Sequence, residues 1–155
     1  MVEQLVEAWE INNRINLFLI EKIEPEGMRC TLSTRGGRDV TRQFAHMHNV
    51  RVWHLERRAR DIAKGTSEFD SKEEPDKEKL ARYLVESAKR VRQYIERVSA
   101  GDTSLKVFKR GIAVSVSYFI AHESHHRGSI LLTLKTSGFP VDEESRYAIW
   151  NWDKI

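Results

Sequence analysis

Two histidines, His122 and His126, stand four residues apart in the segment Ile120–Gly128. If this segment is helical, positions i and i+4 lie on the same face, and both imidazoles can be directed at one atom. A helix offers two nitrogen ligands to a metal ion in this way. At roughly 100° per residue, His126 falls at the edge of the apolar stripe, His122 a little further out and His125 towards solvent. The spacing therefore predicts a pair of metal ligands.

All six histidines of the chain fall in two short windows, which are His46, His48, His54 and His122, His125, His126. If the two windows lie on neighbouring helices, they can form a site with at least three nitrogen ligands. His46 and His48 are about 200° apart on a helical wheel, so only one of them can join the site comfortably. Burial favours His48, because the apolar stripe passes closer to it, whereas the pattern that follows a helix cap at Asp39 favours His46. His54 is expected to pack or to meet solvent.

The size and composition of the chain indicate one domain, residues 1–155, with a substantial core. A single cysteine, Cys30, excludes an intrachain disulfide framework and favours a cytoplasmic location. The acidic, periodic N-terminus does not resemble a secretory signal, and the longest uncharged run, Gly111 to Ala121, is too short to cross a bilayer. We therefore expect no membrane partner.

The charges are nearly balanced, with 26 basic and 23 acidic residues and a net charge of +3. The basic clusters are interleaved with acidic residues, a pattern typical of solvated helix faces. No nucleic-acid partner is predicted.

Apolar periodicity, caps and breakers predict four long helices and one short one. Their expected bounds are Val2 to about Ile23, Val40 to about Ala63 after a cap at Asp39, Asp76 to Gly101, Ile112 to about Thr136, and a short C-terminal helix capped by Asp142. No segment alternates apolar and polar residues over a strand's length. The predicted fold is all-α, a four-helix bundle with a short C-terminal helix.

Two segments carry a resemblance to a known family, and they are Gly37-Arg38-Asp39-Val40-x-x-x-Phe44-Ala45-His46-Met47 and Ala121-His122-Glu123-x-His125-His126-Arg127-Gly128. Together they resemble the DinB/YfiT-like family of metal-binding four-helix bundles. The resemblance covers essentially the whole chain, including the aromatic C-terminus. It implies a three-histidine site of His46, His122 and His126, with His48 as the rival ligand from the second helix.

The same resemblance implies one divalent metal ion, zinc or nickel, and a small-molecule substrate. Three imidazoles leave coordination positions open, as catalytic sites require. Some members of families like this one are metal-dependent S-transferases that join low-molecular-weight thiols to electrophiles, and others have no assigned reaction. The resemblance also implies pairing as a homodimer.

Three charged residues near the histidines are further candidates. Glu123 is a candidate general base, or it orients a ligating histidine, or it is an ordinary surface residue. Arg127 is either a ligand for an anionic substrate or a surface residue. Arg51 lies within the apolar stripe of its helix, so it forms a buried ion pair or contacts substrate in a pocket.

Two other interpretations stay open, and a third, a ferritin-like di-iron site, is set aside. The segment from His122 to His126 satisfies the zinc hydrolase pattern His-Glu-x-x-His, although its longer forms are not met. Glu123 and His126 match half of a ferritin-like di-iron site, but the second half is missing. Finally, the metal could serve only to fix two helices together, in a non-catalytic bundle.

Overall fold

Six α-helices form within residues 1–35 and 38–155, which the computed structural model describes. They are α1 (Val2–Lys22), α2 (Val40–Arg58), α3 (Arg60–Ala63), α4 (Lys77–Ser99), α5 (Ile112–Thr136) and α6 (Glu143–Ala148), with a 3-10 turn at Gly27–Arg29. These described residues contain no strand, so the all-α prediction is confirmed. Gly36 and Gly37, which belong to the predicted loop and to the second-helix motif, lie outside the described residues.

Aspartates cap three of the helices. Asp39 accepts a hydrogen bond from the Arg42 backbone N–H at 2.8 Å at the start of α2, and Asp142 caps α6 through Ser145 at the same distance. Asp76 accepts from the Lys79 backbone N–H at 2.7 Å and opens α4. Each carboxylate satisfies a backbone donor that has no partner within the helix. The predicted caps at Asp39 and Asp142 are confirmed.

The second helix is shorter than expected and ends at Arg58 instead of Ala63. Ala59 leaves the helical conformation, with φ −151° and ψ 59°, and a single turn, α3, follows. The carbonyl of Arg58 accepts a hydrogen bond from the backbone N–H of Lys106 at 2.8 Å. This long-range bond replaces one that a continuous helix would make. The apolar periodicity of the sequence around Ala59 does not indicate this break.

The long helices α1 and α2 each pack against both α4 and α5. Two apolar clusters fill the space between them. The first includes Leu19, Phe44, Leu80 and Ile130, and the second includes Trp9, Leu55, Val91 and Phe119. Buried polar residues lie between the two clusters along α2, α4 and α5, and the buried asparagines of α1 face them. These residues are Asn12, Asn13, Asn16, Arg51, Ser87 and Glu123. We call this set the polar layer.

No helix within the described ranges has an apolar stretch that is long enough to cross a bilayer.

Candidate metal centre

Three histidine side chains come together where α2 packs against α5. His46 on α2 and His122 and His126 on α5 each offer a ring nitrogen, and these three atoms lie within 4.8 Å of one another. The ring centroids of His46 are 5.3 Å from His122 and 5.0 Å from His126, and the two α5 rings are 4.7 Å apart. The i,i+4 pair and one histidine from the second helix thus meet at one point. We call these three residues the histidine triad.

Burial holds the triad in its neutral form. The pKa of His126 is lowered to about 4, first by burial and then by the charges of His122 and His46. Burial is also the main reason that the pKa values of His46 and His122 lie below 6.5. A neutral imidazole has the free lone pair that a metal ion needs, so protons compete little for these nitrogens at neutral pH.

The donor set fits a divalent metal ion. The Nδ1 atom of His122 is buried and has no hydrogen-bond partner within the described residues. A buried polar atom without a partner carries an energetic cost, which a bound ion would remove. Three imidazoles suit zinc, nickel and similar divalent ions better than they suit calcium or magnesium, which prefer oxygen ligands.

His48, the rival ligand, lies elsewhere. Its side chain is buried, with 1% of its surface exposed. Its Nδ1 is 2.9 Å from the carbonyl oxygen of Tyr83, and its Nε2 is 2.8 Å from that of Ser67. His48 therefore joins α2 to α4 and to the loop before it. Each ring nitrogen faces a backbone carbonyl, and the single N–H of the neutral ring donates to one of the two. The second-helix residue that meets His122 and His126 is His46.

Glu123 lies in the polar layer, and its carboxylate binds Arg51 in a buried ion pair. The Arg51 Nε and Nη2 atoms donate to the two carboxylate oxygens at 2.6 and 2.8 Å, and the two side chains are 0% and 1% exposed. Asn12 and Asn16 each donate to the Glu123 Oε2 at 2.7 Å. Burial alone would raise the pKa of Glu123, but the charge and hydrogen bonds of Arg51 outweigh it and lower this pKa.

This geometry does not support Glu123 as a general base, because the ion pair and the two asparagines occupy both carboxylate oxygens. It equally disfavours the His-Glu-x-x-His hydrolase, in which that glutamate activates water. Of the two alternatives for Arg51, the buried ion pair is the one that the structure contains, and a residue without exposed surface does not contact substrate. Arg51 also donates to Asn13 and to the Leu84 carbonyl, both at 2.9 Å.

Arg127 is buried as well, which differs from the surface position weighed for it. Its Nη1 donates to the Asn12 and Asn16 side-chain oxygens at 2.8 and 2.9 Å, and its Nη2 donates to Ser124 at 2.7 Å. With these donors engaged, Arg127 is not placed to bind an anionic substrate. It completes a network between α1 and the residues of α5 that follow the triad histidines in sequence.

The asparagines of α1 are the residues that sequence reasoning missed. Asn12 and Asn16 are fully buried and face Glu123 and Arg127. A signal for them was present, because they continue the helical spacing of the buried residues Trp9 and Leu19. Polar residues in an apolar register indicate partners across the interface, and Glu123 occupies the same kind of position between Phe119 and Ile130.

Two open clefts flank the triad. The larger has a volume of about 710 Å³ and is lined by His46 together with Arg38, Arg42, Trp53 and Glu68. The smaller, of about 190 Å³, is lined by His126, His125, Arg38 and Gln43. Trp53 also packs on His46 with ring centroids 6.0 Å apart. A small molecule can therefore approach the triad from either side.

Of the comparisons with known proteins, one gives a match, and this match covers nearly the whole sequence. No curated protein and no solved structure is significantly similar to this chain. The family model described as DinB family, however, matches residues 1–150. This match confirms the resemblance carried by the two histidine motifs. The chain belongs to the DinB family.

Proposed function

We propose that this chain is a single-domain four-helix bundle of the DinB type that binds one divalent metal ion, zinc or nickel, through His46, His122 and His126. We further propose that it acts as a metal-dependent transferase on a low-molecular-weight thiol. The convergence of three histidine donor atoms within 4.8 Å carries the metal proposal. The transferase reaction rests on the likeness to the family.

Each part of the site has a role in this proposal. The triad supplies three neutral nitrogen ligands and leaves the side towards the clefts open. When bound, the ion supplies a Lewis acid that favours deprotonation of a thiol in a remaining coordination position. The larger cleft, of about 710 Å³, receives the thiol or its electrophilic partner beside His46. Glu123 fixes the orientation of α5 about its own axis through its hydrogen bonds to Arg51 and Asn12. In this way it positions His122 and His126.

An ion with a purely structural role is the second candidate. It is favoured by the placement of the ligands on two helices, because an ion held by His46 and His126 ties α2 to α5. The two candidate roles predict different occupants of the coordination positions of the ion that the triad leaves free. A fourth protein ligand supports the structural role, whereas a position that exchanges with added thiol supports catalysis.

Metal analysis of purified variants tests the proposed site. His126→Ala should lose stoichiometric metal, since it removes one of three ligands. His125→Ala is the matched control, because His125 is the exposed neighbour of His126 and does not belong to the triad. Equal metal content in the two variants would reject the site.

An activity assay separates the reaction classes. Metal-loaded protein should consume a low-molecular-weight thiol together with an electrophile, at a rate that His126→Ala abolishes. Peptide hydrolysis should be absent from the same preparation. Hydrolysis without thiol consumption would reject the transferase in favour of a zinc hydrolase.

A further inference from the structure

Arg38 is the residue immediately before the α2 cap, and its backbone is unusual. Its φ of 52° is the only positive value for a non-glycine residue in the described parts of the chain. Such a conformation is strained for a residue with a side chain, and it persists where the surroundings impose it. Residues of this kind are concentrated at ligand sites.

The Arg38 side chain borders both clefts beside the histidine triad. It lines the larger cleft together with His46 and the smaller one together with His126. A molecule bound at the triad from either cleft would thus come near this guanidinium.

The guanidinium of Arg38 has no ion pair and no side-chain hydrogen bond within residues 1–35 and 38–155, and the residue is exposed. Other arginines around the site are engaged, since Arg51 and Arg127 lie in the buried network. Arg42, which also lines the larger cleft, has a buried Nε atom without a hydrogen-bond partner, and its Nη2 atom is 3.9 Å from the Oε1 atom of Glu74. Arg38 therefore brings to this cleft hydrogen-bond donors that have no protein partner.

Three acidic residues line the larger cleft, and each has a partner other than Arg38. Glu68 accepts a hydrogen bond from the Trp53 indole N–H. Glu73 pairs with Lys79, and Asp70 accepts from the Lys72 backbone N–H at 2.8 Å. None of the three forms an ion pair with Arg38 within the described residues, so the donors of its guanidinium remain available to a ligand.

We propose that the thiol that binds at the triad carries a carboxylate group, and that Arg38 recognises this carboxylate and so determines specificity. The planar guanidinium matches a carboxylate with two parallel hydrogen bonds. This inference rests on the proposed metal site, and it adds to that proposal the chemical class of the substrate and the residue that selects it.

Two thiols of equal length test the inference, namely 3-mercaptopropionate and its neutral counterpart 3-mercaptopropan-1-ol. Each is titrated into cobalt-loaded protein, and binding is followed by the thiolate-to-cobalt absorption band. The wild-type protein should bind the carboxylate thiol roughly 10-fold or more tightly than the alcohol, because a charge-assisted bidentate pair is added. Arg38→Gln should lose this preference and keep its affinity for the neutral thiol, and Arg38→Lys should retain part of the preference.

Arg35→Gln is the matched control, because Arg35 lies in the same loop and lines neither cleft. It should preserve the wild-type preference. Equal affinity of the wild-type protein for both thiols, or an unchanged preference in Arg38→Gln, would overturn the inference while cobalt remains bound. Failure of the protein to take up cobalt at all is a different result, which overturns the proposed function itself.

Discussion

His46 and His48 lie on the same helix, two positions apart, and they have different neighbours. The helical rotation between them turns His46 towards α5 and His48 towards α4. Burial reasoning from the sequence favoured His48, and His48 is indeed the more buried of the two. Burial did not select the residue that meets His122 and His126, however, because a buried histidine can also donate to a backbone carbonyl. The local motif that begins at Asp39 identified the residue that meets His122 and His126.

Replacement of His48 tests this distinction. His48→Ala should keep stoichiometric metal, because the triad is intact. It should nevertheless lower the free energy of unfolding by about 1–3 kcal/mol, since the carbonyl of Tyr83 or Ser67 that accepts the ring N–H loses its donor inside the protein. Metal analysis and urea denaturation of the same preparation measure both effects. Loss of metal from His48→Ala would make His48 the ligand.

His54 makes stability depend on pH. Burial, followed by the charges of Arg58 and Arg57, lowers the pKa of His54 to about 4, against 6.5 for an ordinary histidine. The folded state thus prefers the neutral ring, and the unfolded state binds a proton first as the pH falls. The contribution of His54 to stability is complete above pH 6.5 and is lost as the pH falls from 6.5 towards 4. The loss from this residue amounts to about 3 kcal/mol at most.

The variant His54→Phe should show a flatter pH profile than the wild-type protein. The ring of His54 packs among Phe108, Tyr118 and Phe119, so phenylalanine suits the position. Urea denaturation of metal-free protein between pH 7 and pH 4.5 measures the difference. Parallel profiles for the two proteins would show that His54 does not titrate as described.

At the scale of helices, the sequence predicted those helix ends that depend on residues close to them in the chain. The caps at Asp39 and Asp142 and the end of α5 near Thr136 follow from side chains within a few residues of each helix end. The break at Ala59 was not predicted, because it depends on a hydrogen bond from Lys106, which is distant in sequence. The burial of Glu123 and Arg127 was missed for a related reason. Their partners, Asn12 and Asn16, belong to another helix, and a charge takes a buried position only where such partners exist.

Glu123 should matter more for stability than an ordinary glutamate. Glu123→Ala leaves the buried guanidinium of Arg51 without its counter-ion, and such a change typically costs about 3–5 kcal/mol. Glu86→Ala is the matched control, because it breaks an exposed pair with Arg90 on α4, and such pairs contribute about 0–1 kcal/mol. Denaturation at pH 7 compares the two variants. Similar small losses in both would contradict the structural role assigned to the polar layer.

At the scale of the whole molecule, the polar layer and the histidine triad involve the same part of α5. Glu123 and Arg127 each follow a triad histidine directly, and they bind α1 while the histidines meet α2. The two apolar clusters form the hydrophobic core around the polar layer. The ligand-bearing part of α5 is thus fixed by directional hydrogen bonds, and the cost of burying these polar groups is tolerated for the geometry that they impose.

Metal binding should therefore stabilise the whole fold. An ion that binds only the folded state adds about 2.7 kcal/mol at a free concentration 100 times its Kd. For a chain of this size, that gain corresponds to a rise in Tm of roughly 5–10 °C. Thermal unfolding with added zinc and with chelator measures the change. His126→Ala should show no response to zinc, and an equal rise in that variant would place the ion elsewhere.

The central claim is that one ion is held by one histidine from α2 and two from α5, with room for another ligand. Anomalous diffraction from crystals of the zinc-loaded protein tests this claim most directly, because it locates the ion and its ligands together. The account predicts one ion bonded to His46, His122 and His126 at about 2.0–2.1 Å, with a remaining position filled by solvent or an added thiol. An ion bound away from these three rings, or closed off by a fourth protein ligand, would contradict it.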